Sequence, residues 1–112
     1  MSSRTLGHIK IGYQEYRIEI HDDLGDEICG DTDLENSVIR IAESAIDRQR
    51  NTVIHEVLHA IWDQMGLNAH LSDNTQEQVI TSLSNGISTL LADNPRVIVL
   101  SLKDADGEEF FD

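Results

Sequence analysis

The chain has 112 residues, a length that fits one domain and leaves little room for a second. Its 21 acidic and 8 basic residues give a net charge of −13. That balance argues against a nucleic-acid backbone or an anionic membrane surface as partner, because both recruit Lys and Arg.

Apolar residues make up 39% and aromatics 4%, so the core must consist mainly of Ile, Leu and Val. A core this small gains from a bound metal. The acid is spread along the chain, which reads first as a well-solvated surface. The sharper readings are a basic partner or substrate, or an acidic mimic of DNA. Cys29 is the single cysteine, so no internal disulfide and no Cys-rich zinc site is expected. Met1 to Lys10 carries no apolar stretch, and the longest apolar run, Val97 to Leu100, is far too short for a bilayer. The expectation is one cytoplasmic domain over residues 1–112.

In chain order, His8 to Ile20 reads as a hairpin. Ile9 and Ile11 alternate with polar residues, Gly12-Tyr13-Gln14 turns, and Tyr16, Ile18 and Ile20 alternate again. Asp22 to Gly30 is turn-rich. A third strand around Glu27 to Asp33 has a poor pattern, whereas Val38 to Ala42 is short and β-branched and makes a better one. From about Asp47 to Met65 the period becomes helical, with Val53, Ile54, Val57, Leu58, Ile61, Trp62 and Met65 on one half of the wheel. Gly66 is the stop. A second helix is predicted from about Thr75 to Leu91, with Asn74 as N-cap and Asn94-Pro95 as its end. Val97 to Leu102 reads as a last strand, and residues 103–112 as a loose acidic tail. Strands followed by helices predict an α+β fold, a small antiparallel sheet packed on two helices.

The stretch that carries chemistry is His55-Glu56-Val57-Leu58-His59. Histidines at i and i+4 lie one above the other on a helix face, so each can direct a ring nitrogen to one zinc ion about 2 Å away. Glu56 projects from the neighbouring strip, where its carboxylate can reach a water on the metal without being a ligand. On the wheel the histidines stand at the edge of the apolar arc, and Glu56 and Asp63 on the far, polar side. The flanks also fit a longer pattern: Thr52 stands three before His55, and Val53, Val57, Leu58, Ala60 and Ile61 are uncharged. The plain alternative is an amphipathic helix with two unrelated histidines.

A catalytic zinc needs a third protein ligand and one open position. Glu77 is the first choice. It lies 18 residues after His59, on the shoulder of the second helix, as the histidines do on the first. Its competing role is in a capping box, Asn74-Thr75-Gln76-Glu77, or as a first-turn acid suited to the helix dipole. Asp73 and His70 are the other candidates.

Taken together, His55, Glu56, His59 and Glu77 resemble the zincin metallopeptidases, specifically gluzincins, whose third ligand is a Glu on a downstream helix. The chain is most similar to minimal single-domain forms, the minigluzincins and small phage-encoded proteins in which a Glu-initiated helix ends in Asp-Asn-Pro, here Asp93-Asn94-Pro95. The resemblance covers roughly Ile9 to Pro95. Metzincins are a poorer match, because Trp62 and Met65 stand where that type needs Gly and a third His.

The resemblance implies a zinc-dependent peptidase acting on a peptide or protein substrate, with Glu56 as general base. It also implies an edge strand above the metal, a role Val38 to Ala42 would fill. The family usually supplies an oxyanion-steadying Tyr or His, yet no residue after Glu77 is either. Tyr13, Tyr16, His8, His21 and His70 remain, each needing unusual geometry. A latent or non-catalytic zinc protein acting through its acidic surface is therefore the alternative expectation. Minigluzincin-like latency would use Asp104 to Asp112 to cover the site.

Overall fold

A computed structural model describes residues 3–96. Its elements in chain order are β1 (Ser3–Ile11), β2 (Gln14–His21), β3 (Gly30–Asp33), β4 (Val38–Ala42), α1 (Ile46–Gln64), a short 3-10 turn (Leu67–Ala69) and α2 (Asp73–Asp93). The expected strand at Val97 to Leu102 and the tail at 103–112 lie outside the described residues.

The α+β architecture of one four-stranded sheet and two helices agrees with the sequence reading. The sheet itself is mixed rather than wholly antiparallel, with strand order β1-β2-β4-β3. β1–β2 and β3–β4 are antiparallel hairpins, whereas β2 and β4 run parallel. The cause is topological. After β2 the chain crosses to the far edge, forms β3, and turns back so that β4 fills the gap. β4 is therefore interior, so Val38 to Ala42 is not the edge strand expected, and β3 forms the edge on that side.

Alternation sorts each strand. Ile11, Tyr16, Ile18, Ile39 and Ile41 form one buried face with Ala60 of α1, and Ile9, Val53, Val57 and Ile61 pack against it. The opposite face is charged: Glu19 accepts from Arg17 Nε at 2.8 Å and lies 3.0 Å from His21 Nε2. These two partners, His21 first, hold the Glu19 carboxyl below its ordinary value. The predicted apolar half of α1 is broader than the part that meets the sheet, and Met65 at its end is 62% exposed.

At the β1–β2 turn, Gly12 takes a left-handed backbone (φ 61°), and a Cβ there would strike the Gln64 side chain at the end of α1. α1 lies against the sheet through β1, β3 and β4, and α2 packs antiparallel beside α1. α1 starts and ends one residue earlier than expected, and α2 extends two residues further at each end. Ser72, not Asn74, caps α2, its hydroxyl oxygen accepting from the Thr75 N–H at 3.2 Å. No helix among the described residues is long and apolar enough to cross a membrane.

Candidate metal centre

The antiparallel helix pair and the edge strand β3 enclose an open cleft of about 770 Å³. His55 and His59, one turn apart on α1, face α2 with ring centroids 5.0 Å apart. Glu77 reaches both: its Oε1 lies 2.6 Å from His55 Nε2 and its Oε2 3.2 Å from His59 Nε2. The three side chains offer ligand atoms that all fall within 4.8 Å of one another, the only such cluster of three or more His, Cys, Asp or Glu among the described residues. Tetrahedral zinc with bonds of about 2.0–2.1 Å separates its ligand atoms by about 3.3 Å. Two imidazole nitrogens and one carboxylate converging at these spacings on an open cleft match the donor set of a catalytic zinc site. The same contacts, with a protonated imidazole, also make an ordinary His–Glu ion pair.

Glu77 is free to reach across because Ser72 is the cap. With Ser72 at the N-cap, Glu77 falls five residues into the helix, beyond the capping-box position. The two other ligand candidates do not join the cluster. His70 ends the 3-10 turn and is exposed, and Asp73 lies in the first turn of α2.

Glu56 departs from its expected position on the polar side of α1. It is only 7% exposed, because β3 packs along that flank and covers it. The Thr32 hydroxyl donates to Glu56 Oε1 at 2.7 Å and also lies 3.1 Å from the Glu56 main-chain carbonyl. Burial pushes the Glu56 carboxyl above its ordinary value, while the Thr32 hydroxyl and the nearby His59 and His55 oppose that rise. The result is a desolvated carboxylate beside the His-His-Glu cluster, held by one hydroxyl and lining the same cleft.

β3 reaches this position because Gly30 has no side chain. A Cβ there would lie 2.7 Å from Thr52 Cγ2, 3.0 Å from the Arg40 carbonyl oxygen and 3.4 Å from Glu56 Cγ. Gly30 and Thr32, two residues apart, face α1, while Asp31 pairs with Arg40 at 2.8 Å. Gly30→Ala is expected to destabilise the protein by about 1–3 kcal/mol through overpacking, seen as a lower urea midpoint with unchanged slope. An unaltered midpoint would show that β3 does not press on α1.

Sequence reasoning missed Gly30, Thr32 and the Asn51–Asn85 hydrogen bond (2.7 Å) that ties α1 to α2 across the cleft. The only available signal was the two-residue spacing of Gly30 and Thr32 in a poorly patterned strand. Among the described residues lining the cleft there is no Tyr, and no His beyond His55 and His59. Tyr16 is fully buried in the core and Tyr13 is 83% exposed at the hairpin turn. Compared with known proteins, the chain matches no family model, no curated protein and no solved structure.

Proposed function

We propose that this chain is a zinc-dependent peptidase of minimal gluzincin type, with His55, His59 and Glu77 holding the metal and Glu56 serving as general base. The observation that carries this reading is the coincidence of two features: a His-His-Glu cluster open to a cleft, and a buried non-ligand carboxylate one residue from the first histidine. Zinc, when bound, supplies a Lewis acid that polarises the scissile carbonyl and makes water a stronger acid. The chain's own residues then handle the proton. Glu56 accepts it from the attacking water and returns it to the leaving amine, with Thr32 fixing the carboxylate's direction. β3 is the sheet edge beside the cleft, so its free main-chain groups offer an extended peptide a strand to pair with. The cytoplasm is the proposed site of action, since a lone cysteine suits a reducing compartment.

A degenerate fluorogenic peptide library tests the reading. Zinc-loaded protein is expected to cleave a subset of peptides, with cleavage abolished by a chelator and restored by zinc. A library left intact by protein carrying one zinc per chain would sink the peptidase and leave a non-catalytic zinc protein. One feature favours that second reading: the cleft offers amides such as Asn51 and Asn85, rather than Tyr or a further His, to a developing oxyanion.

A further inference from the structure

α2 carries a second stripe that the cleft does not use. Val79, Leu83, Gly86 and Leu90 follow one another at steps of four, three and four residues, the rhythm that keeps side chains on one face and marks a helix–helix seam. Thr81, Ser84 and Asn85, which line the cleft, fall on another flank. α2 packs on α1, burying Ile80 and Ser84, and leaves Leu83 43% and Leu90 52% exposed.

Two observations set this face apart from an ordinary solvated one. The first is charge. Gln78 to Ala92 contains no charged residue, in a chain of net charge −13, so two copies can meet here without bringing acids together. The second is Gly86. Glycine is the poorest helix former after proline, yet Gly86 stands well inside a helix of 21 residues. Nothing in the fold calls for it. Its backbone is ordinary helix, and a Cβ there would meet no described atom within 4 Å. A missing side chain gains a use when another chain approaches closely.

We propose that this face is an interface between two copies of the chain, packed as an antiparallel α2–α2 pair about a two-fold axis. With the axis between Leu83 and Gly86, Leu83 of each copy seats over Gly86 of the other, and Val79 of each meets Leu90 of the other. A two-fold interface presents the same patch twice, so it needs a surface that complements itself. A large side chain and an absent one at symmetry-related positions do so. The antiparallel sense also keeps the acids at the start of α2, Asp73 and Glu77, apart from their counterparts, which a parallel pair would bring side by side. The cleft lies on a different flank of α2 and stays open in such a dimer.

Sedimentation equilibrium of the full-length chain tests this at about 0.15 M salt, where exposed charges elsewhere on the two copies are screened beyond about 8 Å. The expected result is a monomer–dimer equilibrium with a dissociation constant of about 10 µM, the weak end for an interface built on one helix from each copy. Leu83→Glu should leave only monomer, with unchanged circular dichroism. Gly86→Gln should also leave only monomer, while the thermal midpoint of dilute protein holds or rises, because Gln is the better helix former and the space is open. A Gly86 needed only for folding would lower that midpoint instead. Gln78→Glu puts an equal charge on α2 away from the stripe and should leave the dissociation constant unchanged within about twofold. A chain that stays monomeric at about tenfold above the expected constant overturns the proposal. So does a dimer that survives both Leu83→Glu and Gly86→Gln, because the contact would then lie elsewhere. A wild-type monomer in which Gly86→Gln lowers the thermal midpoint overturns it too, and would assign the face to residues 97–112 of the same chain.

Discussion

Glu56→Gln is expected to keep one zinc per chain and to lower turnover by about 10²–10⁴-fold, the usual contribution of a positioned general base. The amide is nearly isosteric, so it still fills the space beneath β3 and can still accept from the Thr32 hydroxyl. What it cannot do is take a proton. The loss should therefore appear in kcat, with KM little changed, because a group acting only as the reaction proceeds adds nothing to ground-state binding. The melting temperature should hold or rise. Burial already disfavours the charged carboxylate at this position, and a neutral amide avoids that cost. Turnover unaffected by this substitution, in protein of verified zinc content, would falsify the assignment of Glu56.

His59→Ala is expected to lose stoichiometric zinc and, with it, all zinc-dependent stabilisation. A ligand that binds only the folded chain stabilises it by RT ln(1 + [L]/Kd), about 4 kcal/mol at a thousandfold excess over Kd. Against a domain of this size, 1 kcal/mol moves the midpoint by about 4–8 °C. A chelator should consequently lower the melting temperature of the wild type by well over 10 °C and leave His59→Ala unmoved. The size follows from the placement of the ligands. His55 and His59 belong to α1 and Glu77 to α2, so the metal would tie together two helices whose mutual packing is otherwise thin. α2 buries only Ile80 and Ser84 below the surface, while Leu83 and Leu90 remain 43% and 52% exposed. His55→Ala should behave as His59→Ala does. A chelator-insensitive wild type would show that the three side chains form a His–Glu ion pair and nothing more.

How much of this was legible beforehand depends on the range of the interaction. The β1–β2 hairpin, β4 and both helices could be read from alternation, from β-branching and from the 3.6-residue apolar period, because each is a local consequence of which side chains must leave water. The His-Glu-x-x-His spacing was equally local: helix geometry alone stacks His55 over His59. Glu77 was reached by shoulder position on a second helix, and its carboxylate oxygens lie 2.6 and 3.2 Å from the two imidazoles.

A third strand was anticipated within Glu27 to Asp33, where β3 lies, but its place in the sheet and its contacts were out of reach. Gly30-Asp31-Thr32-Asp33 has no apolar side chain to mark it as a strand. Its place at the sheet edge is fixed by β4 inserting between it and β2, and its approach to α1 by the missing side chain of Gly30. Those long-range contacts turned Glu56 from an exposed residue on the polar side of a wheel into a buried, hydroxyl-bound carboxylate. A helical wheel represents one helix in water and has no second element to cover a flank. The sequence by itself therefore determined which residue types face one another along each element. Only the tertiary structure decided which carboxylate is desolvated and which strand borders the cleft, because solvent exclusion is a property of packed surfaces.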